Sequence, residues 1–406
     1  MRAMKDSGIE WIGQIPQEWN TIRAKYVTTI TNGSDPKTEG NTPVYGSGSG
    51  CFKTCGEHKE GPAVLLGRKG TVDIPQYITG NYWNVDTAFD VKPAEEQLDL
   101  EFYYFAATCF DYKYYTATTT LPSMTQTNYG NMYIPFPPVD VQRRVVAGIK
   151  EKLVGIDALI AAKEKTNALL RERRQSIIYE AVTKGLNPDA PMKDSGIEWI
   201  GQIPETWTTW RMKHLASEPL QYGANATGIE FREDIPRYVR ITDITADRKL
   251  SNDGKQSLET DIAQDYMLED GDILFARSGA TSGKSFYYED KYGPCCFAGY
   301  LIKLRTDNRK AISKFLYYYT LTQAYENWTQ QIFIQATIQN ISADKYNNLW
   351  FAVPSSLEEQ KEIVDYLDQR CSEMDELIFA NDATIQKLKE YRQSIIYEAV
   401  TGKIDV

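Results

Sequence analysis

Two arginines at matching places are the first side chains whose chemistry is worth following. In LLGRKGT (65–71) and LFARSGATSGK (274–284), Arg68 and Arg277 each follow an apolar, β-prone run. A guanidinium presents five donors in a fixed fork, which suits the O6 and N7 acceptors of guanine or the oxygens of a phosphate. The competing role is an ion pair with a carboxylate at the strand end. Lys69, Ser278 and Lys284 lie in the same two turns. A second pair of stretches, TATTTLPSMTQTNYGN (116–131) and IFIQATIQNISADKYNN (332–348), is rich in Thr, Gln and Asn. There Thr118, Gln126, Asn128, Gln335 and Gln339 could bond base edges or phosphates, or could simply line polar loops. Arg211, Lys213, Arg232, Arg237 and Arg240 complete the basic candidates of the second half.

Other chemistries fit poorly. Two histidines, His58 and His214, among 406 residues make a histidine triad or a multi-histidine metal site hard to assemble. SGATSGKS (278–285) approaches a phosphate-binding loop, but Ser278 stands where the motif needs its first glycine, and the following FYYEDKYG does not read as a helix start. Cys51, Cys55 and His58 offer three zinc ligands with no fourth nearby, and GSGSG (46–50) lacks dinucleotide-fingerprint spacing. No N/D-P-P-Y/F motif of the kind amino-methyltransferases use is present, and NPDAP (187–191) does not match it. The chain therefore reads as non-catalytic, without a cofactor or metal of its own. The enzyme alternative would place nucleotide binding in the 278–285 loop.

Composition sets further bounds. At 42% hydrophobic residues the chain can bury real cores, and its length suggests two to three domains. Six scattered cysteines show no disulfide or zinc-ribbon spacing and are expected to be reduced thiols. No stretch resembles a secretion signal or a membrane span, so a cytoplasmic location is expected. The net charge of −10 argues against a polyanionic partner. Acidic residues outnumber Lys and Arg in both 17–136 and 205–354, so any such partner must meet a locally basic face.

The elements that position these candidates come in duplicate. MKDSGIEWIGQIP occurs at 4–16 and again at 192–204; RQSIIYEAVT occurs at 174–183 and again at 392–401. The offsets are 188 and 218, so the second copy carries thirty extra residues in its middle. Each copy divides into a variable segment with short β-prone runs and a proline-free segment with apolar steps of three and four. These read as mixed α/β domains followed by long helices, with boundaries at 1–138, 139–184, 185–355 and 356–406. The helical seam runs through Ile149, Leu153, Ile156, Ile160, Leu170 and Ile177, and at the 218 offset through Leu367, Met374, Ile378, Ile385, Leu388 and Ile395. Lys163, Asn167 and Arg174 interrupt it and would fix register. About forty residues at 1.5 Å each make a rod of roughly 60 Å. A rod with one narrow apolar stripe needs a partner of its own kind. The expected fold is thus α+β: two mixed α/β domains joined by two long antiparallel helices that form a coiled coil, in an internal pseudo-two-fold repeat. The domains would sit at opposite ends of the rod.

This plan resembles the specificity subunit of type I restriction-modification systems over essentially the full length. The resemblance is carried by IEWIGQIPQEW and IEWIGQIPETW, by IPFPPVDVQRRVVAGI and VPSSLEEQKEIVDYL ahead of and into the helices, and by RRQSIIYEAVTKG and YRQSIIYEAVTGK at their ends. It implies that each variable domain is a target-recognition domain reading one half of a bipartite site on double-stranded DNA. It also implies that the helices space the domains and dock two methyltransferase subunits, with restriction or translocation subunits in some systems. S-adenosylmethionine would belong to the methyltransferase. Unlike domains imply an asymmetric target. A protein-interaction scaffold with two spaced binding domains is the alternative.

Overall fold

A computed structural model describes residues 3–116, 122–334 and 340–405. The chain forms two compact units, Met1–Lys165 with Asn381–Val406, and Thr166–Ala380, so each takes one α/β domain and part of both long helices.

In the first unit the all-buried strand Ala63–Gly67 lies between Ala88–Pro93 and Gln76–Ile78, with Thr28–Asn32 at the outer edge. A second four-stranded sheet contains a parallel pair, Thr42–Tyr45 with Asn81–Asn84. The second unit repeats both features. Its central strand Ile273–Ala276 lies between Leu301–Leu304 and Ser285–Tyr287, with Gln221–Tyr222 at the edge. Its parallel pair is Arg237–Val239 with Cys295–Phe297. Two sequences with little in common therefore build a first sheet of one strand order around a fully buried central strand, while the second sheets share the parallel pair and differ in its flanking strands.

The extra length of the second domain avoids the arginine turn. After the first strand of the parallel pair the connection is 46–50 in one domain and 240–255 in the other. After the central strand both domains use eight residues, 68–75 and 277–284. Both use three residues, 85–87 and 298–300, to pass from the second sheet back to the first. Glycine is required beside that crossing. A Cβ on Gly33 would lie 2.1 Å from the Val85 carbonyl oxygen, and one on Gly223 would lie 2.3 Å from the Phe297 carbonyl oxygen.

The long helices run Val139–Lys184 and Leu357–Val400. They pack antiparallel. In the first unit Arg392 Nε meets Asp157 Oδ1 at 2.8 Å and Lys163 Nζ donates to Asn381 Oδ1 at 2.8 Å. In the second Arg174 lies 3.6 Å from Asp375. Of the expected seam, Ile149, Leu153, Ile156, Ile160, Ile177, Leu367, Ile385 and Ile395 are buried, while Leu170, Met374, Ile378 and Leu388 are half-buried. The stripe is wider than expected at the helix ends. Ile178, Val182, Ile396 and Val400 lie off the seam and are fully buried.

The duplicated motifs explain that second stripe. Each thirteen-residue motif folds as a hairpin, Met4–Asp6 with Gln14–Pro16 and Met192–Asp194 with Gln202–Pro204. Its turn is held by Asp6 Oδ1 accepting from Gly8 N, and identically by Asp194 Oδ1 accepting from Gly196 N. Ile12 and Ile15 pack with Ile396, Ala399 and Val400, and Ile200 and Ile203 with Ile178, Ala181 and Val182. One copy of the hairpin thus meets the helix end of the other copy. Identical sequence on both sides follows from making one interface twice.

At the other helix end a buried glutamine ties helix to domain. Gln142 donates to the Pro137 and Gln97 carbonyls and accepts from Asp99 N at 2.8 Å. Gln360 donates to the Pro354 and Lys310 carbonyls and accepts from Ile312 N at 2.8 Å. Both side chains are fully buried, where an amide is tolerated only with its partners in place. Sequence inspection missed this pair, although the shared Gln at the 218 offset is its signal.

Candidate nucleic-acid interface

The two arginines occupy one structural position. Arg68 N donates to the Thr87 carbonyl at 2.7 Å and Arg277 N to the Tyr300 carbonyl at 3.0 Å. The Arg68 carbonyl accepts from Met124 N, and the Arg277 carbonyl from Ile341 N. Lys69 bridges Ser123 as Ser278 bridges Asn340. Tyr129 Oη caps the strand end at the Gly67 carbonyl (2.7 Å), and Tyr346 Oη does so at Ala276 (3.3 Å). Residues 122–129 and 340–346, the described parts of the two Thr/Gln/Asn-rich segments that make these bonds, therefore lie against the arginine turns, which the sequence suggested only by their order.

Side-chain surroundings differ between the domains. Arg68 Nη1 donates to the Asp86 carbonyl at 3.3 Å and stands 4.0 Å from the Asp86 carboxylate, both groups remaining accessible. The carboxylate pairing weighed from sequence is thus present, though long. Arg277 instead stacks its guanidinium 4.8 Å from the ring centre of Tyr222. Its buried Nε has no hydrogen-bond partner among the described residues. A half-buried guanidinium held over a ring is pre-organised for an acceptor from outside. Tyr222 also accepts from Ala343 N at 2.9 Å, which locks the ring.

The remaining candidates divide. Lys69, Gln126 and Lys213 are exposed, and Lys284 and Ser278 are half-buried in or beside the arginine turns. Gln126 Nε2 reaches the Ile30 carbonyl at 3.2 Å. Asn128 is engaged locally: Nδ2 donates to the Tyr115 carbonyl and Oδ1 accepts from Thr125. Arg240 is taken up by Asp243, through Nε at 3.1 Å and Nη2 at 2.7 Å, and by the Gly254 carbonyl. Asp243 is buried, so this pair anchors the long 240–255 connection. Arg211 donates to Asn348 Oδ1 at 3.1 Å and stacks on Trp350, as Arg23 donates to Tyr133 Oη and stacks on its ring. Arg237 is buried and donates to the Ser251 carbonyl; Arg232 pairs with Asp234. Thr118, Gln335 and Gln339 lie outside the described residues.

Three residues went unnoticed in the sequence: Asp86, Tyr222 and Tyr300, the last 60% exposed. None belongs to a motif; topology alone brings each to the arginine turn. Beside Tyr300 opens a cleft of about 640 Å³ lined by Ala224, Asn225, Gly228, Tyr238, Gln256 and Gly299 among others. The 278–285 segment forms a short 3-10 turn, Gly279–Thr281, and then the strand Ser285–Tyr287, so no helix follows the glycine and lysine as a phosphate-binding loop requires. Among the described residues no group of three or more His, Cys, Asp or Glu is placed to hold a metal, and no helix is long and apolar enough to cross a membrane.

Two domains with one strand order in the first sheet, each presenting an arginine turn and each fastened to both of two antiparallel helices, define a class of duplicated recognition proteins. The type I restriction modification DNA specificity domain matches residues 16–169 and again 233–386, and the chain belongs to that family. It is similar to the type I restriction enzyme MjaVIII specificity subunit of Methanocaldococcus jannaschii, 23% identical over 72% of this chain and 66% of the relative. It is also similar to the EcoBI specificity subunit of Escherichia coli, 22% identical over 71% of this chain and 62% of the relative. The match thus spans less than two thirds of the length of these relatives. A chain from a solved structure of type I R-M system assembly and conformational transition has the same fold, with a TM-score of 0.66 over 96% of this chain and 99% of that one at 18% identity.

Proposed function

We propose that this chain is the non-catalytic specificity subunit of a type I restriction-modification complex, reading a bipartite, asymmetric site on double-stranded DNA. The observation that carries this is the recurrence of one arginine turn, with the same backbone bonds and loop length, in two domains whose neighbouring side chains differ. One position with two surroundings suits two unlike half-sites. Family membership supports the same reading.

Catalysis and S-adenosylmethionine then belong to partner methyltransferase subunits, two per chain, with restriction or translocation subunits as a further set, all in the cytoplasm. Leu159 and Leu377, 54% and 55% exposed and 218 residues apart, offer one apolar contact twice, as two copies of one partner require. The acidic balance of both recognition segments leaves the isolated chain a weak DNA binder, and partners enclosing the duplex supply the remaining positive field.

DNA footprinting of the chain with its methyltransferase tests this. Two protected half-sites at fixed spacing are expected, and exchanging residues 17–136 for those of another recognition domain changes one half only. Absence of any protected half-site favours the scaffold alternative.

A further inference from the structure

Asp86 is an unexpected residue on a surface that must approach DNA. A carboxylate there repels phosphate, and its side chain is 57% exposed rather than sequestered. Its placement is tightly specified all the same. The three-residue connection 85–87 joins the two sheets, Arg68 N is bonded to the Thr87 carbonyl, and Arg68 Nη1 is bonded to the Asp86 carbonyl. The guanidinium, 38% exposed, and the carboxylate therefore sit side by side at 4.0 Å, both open to the outside.

That pair has the polarity of one base-pair edge. In the major groove a G·C pair shows two acceptors on guanine, N7 and O6, followed by one amino donor on cytosine, N4. A guanidinium fork answers the first two and a carboxylate answers the third. An A·T pair offers neither two adjacent acceptors on its purine nor an amino group on its pyrimidine. Resting on the proposed function above, we propose that Arg68 and Asp86 together read a single G·C pair, Arg68 donating to guanine and Asp86 accepting from cytosine.

The second domain lacks the carboxylate half of this reader. Arg277 N is bonded to the Tyr300 carbonyl as Arg68 N is to Thr87, so Gly299 stands in the place of Asp86. Tyr222 replaces Asp86 as the neighbour of the guanidinium. The second half-site then takes a guanine contact without a cytosine contact, and the exposed Tyr300 ring offers an apolar face for a thymine methyl or a base plane. Half-site asymmetry at this position thus has a residue-level cause.

The test is methylation mapping in cells expressing the whole complex, with the wild-type chain, Asp86→Ala and Asp86→Asn. Asp86→Ala is expected to relax the G·C requirement at one position of the first domain's half-site, with discrimination falling roughly ten- to a hundredfold, and to leave the other half unchanged. If Asp86→Ala stops methylation altogether, Asp86→Asn decides. Asp86→Asn keeps an acceptor for cytosine N4, so methylation restored at the first half-site, with its G·C requirement kept or weakened, then supports the pair, and no methylation again overturns it. An unchanged motif in both variants, or a change confined to the second half-site, also overturns it while leaving the proposed function intact. Should the wild-type complex give no bipartite motif at all, it is the proposed function that fails.

Discussion

Lys163 Nζ donates to Asn381 Oδ1 at 2.8 Å, and the two residues are 218 positions apart, the offset of the repeat itself. Within the first unit the two helices therefore run antiparallel here in the register of the repeat. Flanking pairs agree: Asp157 with Arg392 on one side and Arg174 with Asp375 on the other are each other's repeat equivalents.

Because this contact is polar and half-buried, Lys163→Leu removes one hydrogen bond to Asn381 Oδ1 and should cost about 1 kcal/mol in thermal or urea unfolding. The double replacement Lys163→Leu/Asn381→Leu should recover that loss but loosen register, since a single polar layer specifies alignment at some cost in stability. A double-mutant cycle with disulfide trapping of register separates the two effects. Additive losses would show that the pair contributes nothing to alignment.

Gly223→Ala is expected to destabilise the second unit by at least about 2 kcal/mol, since its new Cβ would sit 2.3 Å from a backbone oxygen that cannot move aside. Gly33→Ala should act the same way in the first unit. Gly155, with open space where a Cβ would go, is the control, and Gly155→Ala should be neutral or slightly stabilising in the same melting experiment.

Gln360→Leu should cost about 1–3 kcal/mol, because it strands the Ile312 amide and two carbonyls at the junction of helix and domain. Hydrogen exchange should locate the loss at Ile312 and the first turn of Leu357–Val400 rather than across the sheets. Uniform deprotection would argue against a local tie.

Arg277→Lys removes the planar fork and the stack on Tyr222 while keeping the charge. DNA binding by the complex should weaken roughly tenfold, with the salt dependence nearly unchanged, because counterion release follows charge and base contact follows geometry. An unaltered affinity would mean that Arg277 acts as a charge alone or makes no contact.

Thiol reactivity provides a pH test. Burial pushes the Cys109 and Cys296 thiols up to about 12 and the Cys295 thiol to about 11, whereas Cys51 is exposed. Alkylation of the native chain near neutral pH should label Cys51 first, and the buried thiols only on unfolding. These thiols stay protonated in the folded state while unfolded ones ionise above about 9. Their stabilising contribution is therefore complete below that point and is lost as pH rises through about 11 to 12. Equal labelling of all six in the folded chain would contradict this burial.

Much of the scaffold was legible in advance because it is written twice. Exact repetition of MKDSGIEWIGQIP and RQSIIYEAVT located the copies, and apolar spacing placed the seam, whose residues are all buried or half-buried. The width of the apolar face was underestimated. Ile178 and Ile396 lie off the heptad seam, and only the docked hairpins account for their burial. At the candidate interface the matched arginines were identified from their flanking strands, but Arg240 could not be told from Arg277 by type. One faces a buried carboxylate three residues away, the other a tyrosine fifty-five positions upstream.

Periodicity and repetition are local or self-referential properties of a chain, so by itself the amino-acid order determined the helices, their seam, the duplicated plan and the family. Which donors stay open is a matter of who stands next to them. Asp86 beside Arg68, Tyr222 beneath Arg277, and each hairpin on the other copy's helix end are meetings between residues far apart in the chain. Only the tertiary structure decided them, because the sheet crossings and the docking of each hairpin set those neighbours, and neither leaves a trace in residue spacing.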